Sequence, residues 1–421
     1  MNWSEEAFAL LADAEEEAGD LQPEAREAEA GNFLRHAASL AATKVADGLI
    51  DPKLVLAWLL THLGSPAFLV GLLVPIREAG ALLPQLVTAA RIRSLPRRKW
   101  VWAGASLVQG LAAAAIGLSA ISLDGAAAGI AVTLALAALA LARSAASVSY
   151  KDVLGKTVGK SRRGAATGLA SSAASAAVLV FALALILRPE ARFALVLAAL
   201  VVASILWLAA SALFATLREP AQPGQRSGAL AQLGLLREDA QLRRFIAARG
   251  LLVATALAPP YLVLLGAGDT ALETLGALVL ASALASLLSS YVWGRLADRS
   301  SRLVLIRAGL LAALPLALAP VLPAVGLLDT PWALPLSLFV LMIAYHGVRQ
   351  GRSTYLVDTA PPEARAAYAA LANTAIGILL LAAGVFGALA SSFGAGVTLG
   401  LFAVMSVAGA WVARGLAEAE A

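Results

Sequence analysis

The chain has 421 residues, 60% of them hydrophobic and only 14% charged, with a net charge of +5 and a mean hydropathy of +0.80. A water-soluble globule has an apolar fraction nearer half and a charged fraction nearer a quarter, so that class is excluded and lipid is the solvent for most of this chain. With no cysteine there is neither a disulfide framework nor a thiolate site, and His36, His62 and His346 share no ligand spacing, so no metal, other cofactor or nucleic-acid partner is expected.

Residues 1–31 hold ten acids against one base, Arg26, which leaves 31 bases and 17 acids for the rest. This start is acidic and lacks a short apolar core before a small-residue cleavage site, so the first membrane helix is expected to direct insertion itself. Trp3, Phe8, Leu10 and Leu11 recur at roughly helical spacing, which fits either a short amphipathic helix on the basic membrane face or a solvated tail.

Stretches of about 20 apolar residues, enough to cross roughly 30 Å of hydrocarbon, then recur. They fall at 34–62, 67–90, 100–122, 126–150, 166–187, 193–215, 243–265, 272–293, 304–325, 332–357, 369–392 and 395–416. The expected fold is an all-α membrane protein of twelve transmembrane helices. Between the sixth and seventh lies a polar stretch rich in Pro, Gly and Arg, read as a linker over 217–242 that joins a six-helix half, 32–216, to another, 243–421.

The first span carries Lys44, Asp47, Asp51 and Lys53, with Lys44, Asp47 and Asp51 on one face. Ionisable groups inside membrane spans are costly and face a cavity or a partner. Asp47 is therefore a candidate proton carrier, the competing reading being a fixed ion pair with Lys44. In the second span Pro75, Gly80 and Pro84 surround Arg77 and Glu78, whose side chains point about 100° apart. Glu78 is the second proton-carrier candidate, and Arg77 a partner for Asp47 or for a substrate anion, unless the two only cement helices.

The fourth span holds Arg143, nine residues before Asp152, and the tenth holds Arg349, nine before Asp358. Nine helical residues span about 13 Å, too far for a direct pair, so each arginine needs another partner. Tyr345, Arg349 and Arg352 share a face of the tenth span, with His346 beside it. Lys44, Arg77, Arg143, Tyr345, His346 and Arg349 are the substrate-binding candidates. A pair of arginines suits an anionic solute between two halves, although arginines near a helix end also snorkel to the surface, and His346 also reads as a packing residue.

Cations crowd alternate connections: Arg91 to Lys99, Lys151 to Arg163, Arg218 to Arg244, Arg295 to Arg302, and Arg365. The opposite connections hold only Arg188 and Arg192, which places both termini in the cytoplasm and the chain in the cell (inner) membrane. The sequence also repeats in parallel. Val87 to Arg97 overlays Val292 to Arg302 at an offset of 205, Arg143 and Asp152 overlay Arg349 and Asp358 at 206, and Pro52 and Pro259 differ by 207.

The stretch VWGRLADRSSR, 292–302, places Gly294, Leu296, Asp298, Arg299 and Arg302 at the spacing Gly-x-Leu-x-Asp-Arg-x-x-Arg. Asp152 to Arg163 and Asp358 to Arg365 form an acid followed by a basic turn. In these residues the chain resembles the major facilitator superfamily of secondary transporters over 32–416. The resemblance implies a monomeric carrier that works by alternating access, with a cytoplasmic gate built from Gly294, Asp298, Arg299, Arg302, Asp152, Asp358 and Arg365. It also implies that Asp298 accepts hydrogen bonds from the start of the eleventh helix, near residue 366. In the first half Ala89, Arg93 and Arg97 replace the signature's Gly, Asp and Arg, so the gate is expected to be asymmetric. The fifth span, rich in small residues, lacks the Gly-Pro pattern of drug/proton antiporters.

A proton-coupled transporter of a small solute is the leading expectation. A transporter-like scaffold, receptor or lipid-handling protein without solute turnover is the alternative. An enzyme is not expected, since no nucleophile and base recur at workable spacing and no nucleotide-binding loop is present.

Overall fold

The computed structural model describes residues 5, 8, 21–85, 88, 91–92, 94–221, 238–266, 269–297, 299–328, 330–360 and 365–418. Among these residues the regular structure is entirely helical. In chain order the helices are α1 (Pro23–Glu27), α2 (Glu29–Leu49), α3 (Val55–His62), α4 (Ala67–Leu82), α5 (Lys99–Ser122), α6 (Gly125–Thr157), α7 (Arg163–Leu187) and α8 (Arg192–Ala215). After residue 238 come α9 (Ala240–Leu252), α10 (Ala254–Leu257), α11 (Pro259–Leu265), α12 (Asp269–Ala297), α13 (Ser301–Leu318), α14 (Ala333–Thr359), α15 (Arg365–Ala382), α16 (Gly384–Phe393) and α17 (Ala395–Ala413).

Hydrocarbon leaves backbone groups no partner but the helix itself, which is why apolar runs fold this way. Eight helical stretches among the described residues are long and apolar enough to cross a membrane. The protein is a multi-pass membrane protein. Its outer surface fits that solvent: Leu187 is 74% exposed, Trp411 70% and Leu134 67%, while Ser106, Ser144, Ser149 and Thr398 are buried.

The first predicted span is not continuous. It breaks at residues 50–54, between α2 and α3, around Pro52, whose ring cannot continue the hydrogen-bond ladder. Pro75, by contrast, is accommodated inside α4. Two connections are very short. Gly394 alone joins α16 to α17 at φ +86°, and Gly125 at φ +56° starts α6 after a connection of two residues from α5, conformations that disfavour a Cβ.

In the first region, up to residue 221, α5 packs on α6 and α8, α2 packs on α7 and α8, and α4 lies on α6. In the second, from residue 238, α14 packs on α12 and α13, and α17 on α13 and α9. The regions meet along two seams, α7 with α12 and α4 with α15 and α16. The α7–α12 seam is tight toward the ends that lie away from the cationic connections, and the α4 seam is tight there and again near Leu83, 2.6 Å from a Cβ built on Gly377. A Cβ on Gly71 would sit 2.7 Å from the Gly387 Cα, and one on Gly276 would sit 2.8 Å from the Ile186 backbone nitrogen. These contacts seal one end of the molecule.

Candidate functional site

The charged residues of α2, α4, α6 and α14 converge in the interior. Asp47, in the last turn of α2, accepts a hydrogen bond from Arg77 Nη2 on α4 at 2.8 Å through Oδ1. Its Oδ2 pairs with Arg143 Nη1 on α6. One carboxylate thus ties three helices and answers two guanidiniums. Lys44, one turn earlier, makes no pair with Asp47. Its Nζ donates to Ser171 Oγ at 2.6 Å and to the Thr167 carbonyl at 3.3 Å, both on α7.

The break at 50–54 supplies another cation. Lys53 is buried, with its ammonium 3.7 Å from the centroid of the Tyr345 ring on α14, an interaction between a cation and an aromatic face. Its backbone N–H donates to Asp51 Oδ1 at 2.6 Å. Glu78, one residue beyond Arg77, has Lys53, Arg77, Arg349 and Arg352 within electrostatic reach. Arg349 and Arg352 belong to α14, whereas Arg77 itself pairs with Asp47 on α2. Arg349 and Arg352 make no ion pair or hydrogen bond among the described residues, although Arg349 lies within electrostatic reach of Lys44 and Arg143.

A cavity of about 640 Å³ opens where α7 and α12 separate, at the end opposite the glycine contacts. Ser171 and Ser175 line it from α7, Ser286, Ser289 and Trp293 from α12, and His346, Arg349, Gln350, Arg352 and Ser353 from α14. Ser289 Oγ and His346 Nε2 are buried here without a hydrogen-bond partner among the described residues. A second cavity of about 190 Å³ lies beside it, lined by Lys44, Arg143, Ser106, Gln109 and Trp102. Ser106 Oγ and Gln109 Oε1 are likewise unpartnered. Buried polar atoms without partners are uncommon, and those that border a cavity are available to a water or a solute there.

The residues assigned to the gate separate into two sets. Asp152 does not reach Arg143; it pairs with Arg98 and, at 3.0 Å, with Lys156. Arg302 pairs with Glu418 and donates to the Leu416 carbonyl at 3.3 Å, and Arg365 Nε donates to the Ala360 carbonyl at 3.3 Å. Asp358 and Arg299 are exposed, and nothing lies within 4 Å of a Cβ built on Gly294. Asp298 and Arg93 lie outside the described residues, as does the side chain of residue 366.

Two carboxylates escaped the sequence reading. Glu219 accepts the backbone N–H groups of Arg98 at 3.0 Å and Lys99 at 2.8 Å, at the start of α5, where the helix dipole favours an anion. Lys156 approaches the same acid at 3.4 Å. Glu29, counted with the acidic start, is buried, pairs with Arg162 at 2.7 Å and accepts the Gly159 N–H at 2.8 Å. In sequence both sit in polar stretches where an acid looks solvated. Most of residues 1–20 lie outside the described residues, but Phe8 packs edge-on against Phe33 at 5.2 Å, beneath the Arg162 guanidinium.

Neither a family model nor a curated protein sequence matches this chain. Solved structures do match in fold. A mutant of the nucleoside transporter NupG superposes with a TM-score of 0.70 at 14% identity, covering 91% of this chain and 99% of that one. A POT family transporter in complex with a thioalcohol-conjugated peptide gives 0.65 at 12% identity, covering 90% and 94%. A D-xylose-proton symporter gives 0.64 at 14% identity, covering 92% and 98%. At such identities the likeness concerns backbone architecture, and that architecture is the major facilitator fold.

Proposed function

We propose that this chain is a secondary active transporter that carries a small solute across the cell (inner) membrane by alternating access, coupled to protons. One observation carries the reading: a network of buried ionisable groups on α2, α4, α6 and α14 adjoins a cavity whose far end is sealed by helix contacts between the two regions. Membrane helices carry such charges where solutes or ions pass. The similar structures, a nucleoside transporter, a POT family transporter and a D-xylose-proton symporter, support the same class.

In this proposal twelve helices cross the bilayer, six in 32–216 and six in 243–421, joined by a cytoplasmic linker at 217–242, with both termini inside. The cavity then opens to the cytoplasm, and the glycine contacts seal the outer face. Asp47 or Glu78 carries the proton. A solute that draws Arg143 or Arg77 away from Asp47 would free that carboxylate to take a proton, which links the two movements.

The test is flux in sealed vesicles with an imposed pH gradient. Wild-type protein is expected to drive solute movement that stops in Asp47→Asn or Glu78→Gln. Unchanged pH dependence in both variants would exclude these carriers. A tag at residue 421 reached only from outside would overturn the orientation.

A further inference from the structure

Resting on that transport reading, we propose that the solute is a small hydroxylated organic anion, carboxylate or phosphate, held between Lys44, Arg143 and Arg349. The first argument is charge. Arg77 and Arg143 share Asp47, which leaves Glu78 and Asp51 to answer Lys44, Lys53, Arg249, Arg349 and Arg352. The described residues of the cluster carry more cations than carboxylates. In a low-dielectric interior each uncompensated ion is costly, so an entering anion is stabilised there.

The second argument is placement. Lys44, Arg143 and Arg349 lie within electrostatic reach of one another, although they come from α2, α6 and α14. Lys44 and Arg143 line one cavity and Arg349 the other, and Ser171, on the wall of the larger cavity, accepts the Lys44 ammonium hydrogen bond. An oxyanion bridging the three would contact both regions of the chain at once. Arginine presents several donors in a planar fork suited to carboxylate and phosphate, and lysine adds a point charge.

The third argument is the remainder of the wall. The larger cavity, about 640 Å³, is within the about 300–1,000 Å³ of small-molecule sites. Its serines and Gln350 offer hydroxyl and amide groups, and Ser289 Oγ is unpartnered though only 2% of that residue is exposed. Such a wall suits hydroxyls on the solute's body better than a hydrocarbon chain.

The experiment measures the melting midpoint of the purified full chain in detergent, at constant ionic strength, against gluconate, glycerol phosphate, sorbitol and glycerol. A ligand of the folded state raises the midpoint saturably. Gluconate or glycerol phosphate is expected to do so, and the one acting at lower concentration identifies the anionic group. Sorbitol and glycerol are expected to have no saturable effect. Arg349→Gln is expected to weaken binding about tenfold or more, Arg349→Lys to recover part of it, and Arg414→Gln, on an exposed residue, to change nothing. Equal stabilisation by the neutral polyols, no stabilisation by either anion, or wild-type binding in Arg349→Gln would overturn the proposal. Flux in vesicles keeps the two readings apart. Anion binding without flux removes the transport reading and leaves the site, whereas flux of a neutral solute untouched by Arg349→Gln does the reverse.

Discussion

The two regions of the chain treat their buried arginines differently. Before residue 221, acids and bases are matched: Asp47 with Arg77 and Arg143, Asp152 with Arg98 and Lys156, Glu219 with Lys156, Glu29 with Arg162. After residue 238, Arg302 pairs with Glu418 near the end of the chain, away from the cavity that Arg349 and Arg352 line. Arg249 donates instead to the Asn373 amide oxygen at 2.9 Å. At the 206-residue offset that aligns Arg143 with Arg349, Asp47 falls on Val253, and Arg77 and Glu78 fall on Ala283 and Leu284. The repeat keeps the cation and drops its counter-ion. The first region thus answers its guanidiniums with carboxylates, while Arg349 and Arg352 of the second line the cavity without one.

Substitutions that separate the two roles test this contrast. The largest effect is expected from Asp47→Asn, which leaves Arg77 and Arg143 without their carboxylate. Coupled flux should be lost, and with these side chains 15% to 32% exposed, stability should fall by about 2 to 3 kcal/mol. Arg349→Gln should leave the melting midpoint unchanged without ligand. An equal drop in midpoint for both variants would break the comparison.

Glu29→Gln comes next and concerns folding alone. Both side chains of the Glu29–Arg162 pair are 6% exposed, so an unmatched Arg162 should cost about 3 kcal/mol, seen as a lower midpoint with little change in solute affinity.

At the sealed seam, Gly71→Ala would place a methyl 2.7 Å from the Gly387 Cα and 2.6 Å from the Tyr261 hydroxyl. Overpacking of this kind costs about 1 to 3 kcal/mol, and each 1.4 kcal/mol shifts a two-state equilibrium about tenfold. Spin labels at the outer ends of α4 and α16 should report a larger open population. An unaltered distance distribution would mean that the seam is not part of the moving gate.

The smallest effect belongs to Asp239, which caps α9 by accepting the Gln241 and Leu242 N–H groups at 2.7 and 3.0 Å and the Tyr368 hydroxyl at 2.5 Å. Partial burial pushes its carboxyl up, but these hydrogen bonds prevail and hold it below its ordinary 3.8. A depressed folded-state value gives stability that is complete above the unfolded value and is lost as pH falls through the folded one. Asp239→Asn should therefore cost about 0.5 to 1 kcal/mol at neutral pH and nothing once the pH is well below about 4.

Much of this was readable in the chain, and the boundary has a physical reason. Membrane spans are written locally, in runs of apolar residues, and eight helical stretches among the described residues are long and apolar enough to cross a membrane. The separation of Arg143 from Asp152 followed from helical rise alone. That Arg143 meets Asp47 did not, because which helices touch is decided by packing between distant segments. Pro52 was read only as a landmark of the repeat inside an unbroken first span, and nothing local announced that a break there would bring Lys53 onto Tyr345. Glu29 and Glu219 were hidden for the opposite reason: an acid in a polar stretch looks solvated until a neighbouring helix start or arginine covers it.

The Gly71–Gly387 contact has an entropic consequence. A seam packed with leucines would have to freeze side-chain rotamers each time it closed and release them each time it opened, at about 0.5 to 1 kcal/mol for each leucine. Where the two helices meet, Gly71 and Gly387 have no rotamers of their own to select, and the side chains bordering the contact are few, Tyr261 at Gly71 and Leu72 at Gly384 among them. In the proposed transport cycle, closing the seam at this point would therefore carry a smaller rotamer cost than closing a leucine-packed seam.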